Sequence, residues 1–318
     1  MTDRTDAEGD PTDASAADAP ATRAADCAVV VVGGGPAGCS AAVFAARYDL
    51  DVRVFDCGRS SLRRCAHLGN YLGFPAGIDV ETFYALAHDH VETAGGSVVN
   101  DLVEVVERGD DARFRVETQE GRTVRTRFVV AAAKYDGQYL RGLDDLAMFV
   151  RDEHGERDER FDDAYPDADG STPTEGLYVA GPLAGSEDQA VIAAGHGARV
   201  GCAVVAAARR ARGWWDEVAD PTDWLRRRAS YDDKWDDREN WVEWFDEFHG
   251  DADVAPERFE RVRAAYVDRA MSAYVGDDEI DRRTERGQRR LIEQLNDDLV
   301  CARADEIRAG RDAPSNTD

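Results

Sequence analysis

The pattern of apolar positions predicts a strand, a helix and a second strand early in the chain. Residues 27–32, CAVVVV, form a continuous apolar run, which is typical of a strand buried on both faces. A glycine-rich turn and a helix through Arg47 follow, and residues 51–56, DVRVFD, predict a second strand. This order predicts a parallel α/β unit.

The segments that follow predict further elements, of which the last is a long helix. Residues 79–96 have helical periodicity and end in two glycines, a stop signal. Residues 97–133 alternate with period two and predict a strand meander. Residues 151–174 are acidic and poor in apolar positions, which predicts a surface loop. The run GLYVAG, residues 176–181, predicts another buried strand, followed by a helix over residues 189–210.

The last third of the chain predicts helices only. All six tryptophans lie after Gly213, and Pro256 suits a first helical turn. The positions expected on apolar helix faces are Trp241, Trp244, Phe245, Phe248, Phe259, Val262, Tyr266, Leu291, Leu295 and Leu299. We expect these faces to pack on each other and on the rest of the chain. The alternatives are a cap over a ligand face or a dimer contact.

The charge of the chain is strongly negative. Its 318 residues include 65 Asp and Glu against 39 Lys and Arg, a formal charge of −26, and Lys134 and Lys234 are its only lysines. This composition resembles that of halophilic archaeal proteins. Such a surface repels phosphate, so nucleic acid is excluded as a partner. Self-repulsion should also make the fold less stable in dilute buffer than in salt.

The sequence indicates a cytoplasmic protein without a membrane span. Residues 1–25 are acidic and rich in small residues, without the apolar run of a secretory signal, and predict a disordered tail. The longest apolar stretch, residues 190–208, contains His196, Arg199 and several glycines, and these argue against a span.

A dinucleotide-binding motif follows the first strand. Gly33, Gly35 and Gly38 form the pattern G-x-G-x-x-G between strand and helix, which is the context that this motif requires. A pyrophosphate would lie on the helix N-terminus. Asp56, at the end of the second strand, is placed to accept a hydrogen bond from an adenosine ribose. These residues alone leave open whether the dinucleotide is FAD or NAD.

The cysteines and histidines give weaker signals. The six cysteines are Cys27, Cys39, Cys57, Cys65, Cys202 and Cys301. They contain no C-x-x-C pair, so we expect small buried thiols in a reducing cell. The alternative is a redox role for Cys57 and Cys65, the latter beside two arginines. His67 is expected to make a polar contact. His88 and His90, two apart on a helix, face different directions, so we predict no metal site.

Three segments resemble the FAD domain of the thioredoxin reductase family. They are VVVVGGGPAGCSAA (29–42), NYLGFP (70–75) and GLYVAGPLAGSEDQAVIAAGHGARVGCAVV (176–205). The resemblance implies an α/β, Rossmann-like FAD domain in two parts, residues 26–150 and 175–212. The family inserts an NADPH domain between these parts, and residues 151–174 would replace it. Residues 213–318 form the helical region outside the resemblance.

The resemblance also implies roles for individual residues. The turn of Gly33, Gly35, Pro36, Ala37 and Gly38 would hold the FAD pyrophosphate, and Asp56 the ribose. Asn70, Gly181, Gln189 and Ala190 would lie near the flavin.

The chain departs from the family pattern at three places. Gly181-Pro182 replaces a Gly-Asp pair, Ala133-Lys134-Tyr135 replaces Ala-Thr-Gly, and the redox C-x-x-C is absent. Lys134 would face the flavin or a substrate anion, or else lie on the surface.

We therefore expect an FAD-dependent oxidoreductase without its own NADPH domain or redox disulfide. Its electrons would come from a separate small molecule or protein, and no catalytic residue can be assigned. A homodimer is compatible with the helical region. The rival hypothesis is a non-catalytic nucleotide-binding or assembly protein derived from a reductase. An NAD-binding protein is a further alternative, but it leaves the segment 176–205 unexplained.

Overall fold

The computed structural model describes residues 25–109, 113–134, 137–143, 146–150, 160–222, 224–228 and 232–312. Its strands are β1 Ala25–Val32, β2 Val52–Phe55, β3 Ser97–Val99, β4 Val103–Arg108, β5 Phe114–Thr118, β6 Thr123–Ala131, β7 Phe149–Val150, β8 Arg160–Phe161, β9 Leu177–Val179, β10 Arg226–Arg227 and β11 Tyr274–Val275. Its α-helices are α1 Pro36–Ala46, α2 Val80–Thr93, α3 Ala190–Ala211, α4 Asp216–Ala219, α5 Arg238–His249, α6 Pro256–Ser272, α7 Asp277–Glu293 and α8 Asp297–Asp312. Residues 1–24 of the expected tail lie outside the described residues.

The main sheet has seven strands in the order β3-β2-β1-β6-β5-β4, and β9 also pairs with β6. Strands β1, β2, β3, β6 and β9 run parallel, whereas β4, β5 and β6 form the antiparallel meander. Strand β6 changes neighbours along its length: Val124 pairs with β5 and Val130 with β9. The predicted α/β, Rossmann-like fold with a helical C-terminal region is confirmed. One detail is wrong, because β3 joins the parallel sheet and not the meander.

Both faces of the sheet are buried, as the apolar run of β1 predicts. Val29 and Val31 pack against α1 and α3 on one face, while Val30 and Val32 belong to a second core. This second core also includes Leu140, Met148 and Phe161. Complete burial on both sides explains why β1 has no polar positions between Cys27 and its end.

Helices α1 and α3 are in very close contact because glycines remove side chains at the crossing. A Cβ added to Gly197 would lie 2.0 Å from the Ala37 carbonyl oxygen, and one added to Gly201 would lie 2.7 Å from that of Ala41. By length and composition α3 could cross a membrane. Its apolar face is instead packed in the core, where Val200 and Val204 are fully buried.

The expected loop at residues 151–174 is only partly a surface feature. Residues 151–159 lie outside the described residues. Phe161 is buried, contrary to expectation, and the Val179 N–H donates to the Gly170 carbonyl at 2.8 Å. The second half of the segment therefore packs along the sheet. The acidic composition of the segment gives no indication of this packing.

The helical region has an aromatic core of its own. Trp215, Trp241 and Phe245 are buried in it, and Pro256 is the first residue of α6, as predicted. Phe248 is wrongly predicted to be buried, since 63% of it is exposed. Leu291, Leu295 and Leu299 are also exposed.

The helical region contacts the α/β unit at the C-terminal ends of α1 and α3. The Arg209 guanidinium lies over the rings of Tyr48 and Trp214, at 4.9 and 4.5 Å from their centroids. The Arg269 guanidinium lies 4.0 Å from the centroid of the same Tyr48 ring. The glycine turn lies at the opposite end of α1 from this contact. A cap over a ligand face by the tryptophans stays a prediction.

Candidate dinucleotide site

The glycine turn brings α1 against the ends of β1 and β6. Gly33 has φ +108°, and a Cβ there would lie 2.9 Å from the carbonyl carbon of Ala132. A Cβ on Gly38 would lie 1.9 Å from the Gly33 carbonyl oxygen. Any side chain at these two positions would therefore force the turn apart. Gly35 is different, because a Cβ there would meet only hydroxyls, the Ser60 oxygen at 3.7 Å and the Tyr84 oxygen at 3.9 Å.

The first turn of α1 presents backbone N–H groups to this space. Its N-cap, Gly35, has no side chain to accept them, and Pro36 occupies the first helical position. Ala37 and Gly38 supply the next two N–H groups, which have no partner within the helix. Their partial positive charge adds to the helix dipole, and together they favour an anion such as a phosphate.

Asp56 lies where the sequence predicts it, directly after β2, and only 9% of it is exposed. Its Oδ1 accepts a hydrogen bond from the Gly58 N–H at 3.1 Å. His88 Nε2 lies 3.5 Å from Oδ2 and 3.1 Å from the Gly34 carbonyl oxygen. His88 therefore orients the carboxylate, a role that sequence reasoning missed because only the fold brings α2 over β2.

The hydroxyl of Tyr84 is a second feature that the sequence did not reveal. It is buried, and no described residue forms a hydrogen bond of good geometry with it. Burial raises the pKa of Tyr84 to about 12, although Ser60 acts in the opposite direction. The group thus keeps its proton and can donate it to a ligand beside Gly35.

The residues expected near the flavin meet at the same edge of the sheet. The Asn70 amide donates to the Gln189 side-chain oxygen at 2.9 Å, across 119 positions of sequence. Ala190 begins α3 immediately after Gln189, and no side chain caps this helix. A Cβ added to Gly181 would lie 2.7 Å from the Ala37 Cβ. The absence of a side chain at Gly181 therefore allows β9 and α1 to lie close together.

His196 supports the backbone at Gly181. Its Nδ1 accepts the Gly181 N–H at 2.9 Å. Burial and the nearby Arg199 lower the pKa of His196, which favours the neutral ring that can accept this bond. Pro182 follows within a 3₁₀ turn, Gly181–Ala184. His196 thus holds the chain at the point where the family's Gly-Asp pair is missing.

Lys134 lies at the same edge but is already paired. Its Nζ is 2.6 Å from the Asp188 Oδ2, and both side chains are substantially exposed. Its exposure does not distinguish the two expected positions, because Asp188 directly precedes Gln189, which is expected near the flavin. Tyr135, the next residue of that departure, lies outside the described residues.

The cysteines divide into three groups, of which Cys57 and Cys202 are half-buried. Cys27 and Cys39 are buried, and burial raises their pKa to about 11 and about 12. Cys65 and Cys301 are exposed, contrary to the expectation of buried thiols. All six are free. Among the described residues, no group of three or more His, Cys, Asp or Glu side chains could hold a metal ion.

The comparisons with known proteins agree with this description. Residues 27–135, less than half of the chain, match the family model for pyridine nucleotide-disulphide oxidoreductases. No curated protein matches the chain.

Similar solved structures include two thioredoxin reductases. The atypical thioredoxin reductase TRi from Desulfovibrio vulgaris Hildenborough is 17% identical, with a TM-score of 0.47 over 59% of this chain and 100% of its own. The enzyme from Gloeobacter violaceus is also 17% identical, with a TM-score of 0.48 over 63% and 99%. At these values the likeness does not extend to activity or ligands.

The fold and the turn at Gly33–Gly38 define a class, the Rossmann-like dinucleotide-binding proteins. Within this class, residues 27–135 match the model of the pyridine nucleotide-disulphide oxidoreductases. The resemblance to thioredoxin reductases drawn from the sequence is confirmed over that segment.

Proposed function

We propose that this protein is an FAD-dependent oxidoreductase that receives its electrons from a separate donor. The observation that carries the proposal is the shared sheet edge. It holds a phosphate-binding turn at Gly33–Gly38, a ribose acceptor at Asp56, and the linked pair Asn70 and Gln189. An extended dinucleotide needs such an arrangement of contacts along its length.

The residues present fit FAD at two neighbouring points. The absence of a Cβ at Gly35, where it would meet only hydroxyls, leaves the close backbone approach that a pyrophosphate requires, while Gly33 and Gly38 keep the turn tight. The buried Tyr84 hydroxyl beside Gly35 has a hydrogen bond to offer. When bound, FAD supplies electron transfer through its isoalloxazine ring.

Each residue would then have a defined task. The N–H groups of Ala37 and Gly38 would bind the pyrophosphate, and Asp56, oriented by His88, would accept from the adenosine ribose. Gly181 would keep β9 close to α1. The uncapped N-terminus of α3 at Gln189 and Ala190 would favour negative charge at the flavin end.

The donor and partners follow from what the chain contains. It carries no second G-x-G-x-x-G motif and no C-x-x-C. We infer that a small molecule or a redox protein delivers or accepts the electrons. A cytoplasmic location, a homodimer and adaptation to salt stay predictions.

The first test is the visible spectrum of the full chain purified in molar KCl. We expect the absorption of an oxidised flavin and release of FAD on heating. The matched variants are Asp56→Asn and Asp51→Asn, since Asp51 is exposed and lies outside the site. Asp56→Asn should reduce FAD content, whereas Asp51→Asn should not. A colourless protein that also fails to bind added FAD would support the rival, non-catalytic hypothesis.

The second test concerns activity. The FAD-loaded protein is mixed anaerobically with NADPH, NADH or a reduced redox protein, and the flavin absorption is followed. Loss of that absorption with one donor supports an oxidoreductase. A protein that binds FAD tightly but is reduced by no donor would count against catalysis while keeping the cofactor assignment.

A further inference from the structure

A cavity of about 1400 Å³ lies between the α/β unit and the helical region. It lies at the C-terminal end of α1, beside Arg47, and is bounded on the other side by α7 and by the tryptophans of the helical region. Helix α1 has eleven residues, so this end is about 16 Å from the glycine turn. The cavity is therefore separate from the glycine turn, and a ligand can occupy it whether or not FAD is bound.

The charge of the cavity wall is opposite to that of the chain. Seven arginines and four Asp or Glu residues line it, whereas acidic residues outnumber basic ones 65 to 39 in the whole chain. A concentration of arginine inside an otherwise acidic protein indicates an anionic ligand, because arginine binds phosphate and carboxylate in a fixed fork.

Helix α7 contributes three of these arginines on one face, Arg283, Arg286 and Arg290. Two of them have acidic partners: Arg283 binds Glu279 at 2.6 Å, and Arg290 binds Asp89 at 2.5 Å. For Arg286, no ion pair or hydrogen bond is found among the described residues, and its pocket-facing charge is not neutralised.

The facing wall is aromatic and held rigidly. Five tryptophans and two tyrosines line it. Trp235 and Trp241 have ring centroids 4.7 Å apart, and the Trp241 indole N–H donates to the Trp235 carbonyl at 2.8 Å. Trp244 stacks on Tyr266 with an interplanar angle of 24°. Trp241 is itself buried, whereas Trp224 in the same lining is 68% exposed and offers an indole face on which a planar ring can stack.

We propose that this cavity binds a nucleoside phosphate. Its base stacks on the tryptophan wall, and its phosphates bind the arginines of α7, chiefly Arg286. A ring alone would leave Arg286 without a counter-charge, and a bare polyphosphate would leave the aromatic wall unused. Only a ligand with both parts matches both walls.

The test is calorimetric titration of the full chain with ATP, at a KCl concentration at which the protein is folded. We expect saturable binding, with adenosine and tripolyphosphate each binding at least tenfold more weakly than ATP. Arg286→Ala should weaken ATP binding about tenfold or more. The matched control is Arg289→Ala on the same helix, which removes an exposed arginine outside the cavity and should leave the affinity unchanged.

Several outcomes would overturn the proposal. They are no saturable binding, tripolyphosphate binding as tightly as ATP, or equal affinities for Arg286→Ala and the wild type. Circular dichroism must show both variants folded. A repeat in saturating FAD separates the two sites: displacement of ATP by FAD would place ATP at the glycine turn and refute a second site. If FAD does not bind to the protein, the ATP titration by itself still tests whether the cavity binds a nucleoside phosphate.

Discussion

At the scale of single residues, Tyr84 has a buried hydroxyl beside the glycine turn, 3.9 Å from where a Cβ of Gly35 would lie. Its hydroxyl is buried without a hydrogen bond among the described residues, and such a group costs about 1–3 kcal/mol. A ligand bound beside Gly35 would satisfy this hydroxyl.

Tyr84→Phe should therefore have opposite effects on FAD binding and on stability. We expect FAD affinity to fall about 3- to 10-fold, since a net hydrogen bond contributes about 0.5–1.5 kcal/mol. The stability of the protein without FAD should be unchanged or higher, because an unsatisfied hydroxyl is removed. Fluorescence titration with FAD and urea unfolding measure the two effects.

The control is Tyr178→Phe, another buried tyrosine, which lies in β9 away from Gly35. It should leave FAD affinity unaltered. If both variants bind FAD as tightly as the wild type, Tyr84 does not contact the ligand.

His196 makes stability depend on pH. Burial lowers the pKa of His90, His196 and His249 in the folded state, so the unfolded chain binds protons more readily between the folded values and about 6.5. Stability should thus be full above pH 6.5 and fall as the pH decreases below it. In the His196→Asn variant, the loss of stability below pH 6.5 should be smaller. Urea unfolding between pH 5 and 8 measures this difference. His67→Asn, at an exposed position, should keep the wild-type slope.

At the scale of elements, the contact between α1 and α3 depends on a missing side chain. Gly197→Ala would place a methyl group 2.0 Å from the Ala37 oxygen, and we expect a loss of about 1–3 kcal/mol. Gly195→Ala lies in the same helix with nothing within 4 Å. It should instead add about 0.5–1 kcal/mol through helix propensity. Thermal unfolding of the two variants is the measurement, and equal shifts would contradict the close packing.

The local sequence pattern was sufficient to predict those elements whose burial depends on residues close to them in the chain. The apolar run of β1, the glycine turn and the acid after β2 each carry their own signal, and Gln189 is found next to Ala190 at the start of α3 as predicted. Asn70 and Gln189 are both predicted to lie near the flavin, and the hydrogen bond between them is consistent with that prediction. The hydrogen bond itself could not be predicted without the fold.

The predictions that failed concern which residues are covered by the rest of the protein. Leu291, Leu295 and Leu299 have helical spacing, yet α7 ends at Glu293 and these residues face solvent. Phe161 lies among acidic residues and is nevertheless buried. Periodicity states that a face is apolar, but only the tertiary arrangement determines what packs on it. For the same reason neither His88 nor Tyr84 could be assigned to the site.

At the scale of the whole molecule, the charge of −26 should control stability. Added salt shortens the Debye length from about 10 Å at 0.1 M to about 3 Å at 1 M, and this relieves repulsion among surface carboxylates. We expect the unfolding temperature to rise by about 5 °C or more between 0.1 and 2 M KCl.

Differential scanning calorimetry measures this rise. Sucrose at equal osmolality, which does not screen charge, should produce a smaller increase. An unfolding temperature independent of KCl would show that the acidic surface does not limit stability.

The packing of α1 on α3 also constrains how the chain is made. Helix α1 is complete at Ala46, but its covering helix ends only at Ala211. At about 5–20 residues per second, the ribosome needs roughly ten to thirty seconds to synthesise the intervening part. During that interval the alanine-rich face of α1 has no partner, so nascent chains are exposed to aggregation. Slow translation should therefore reduce the yield of this protein, and a chaperone that shields apolar helices should restore it.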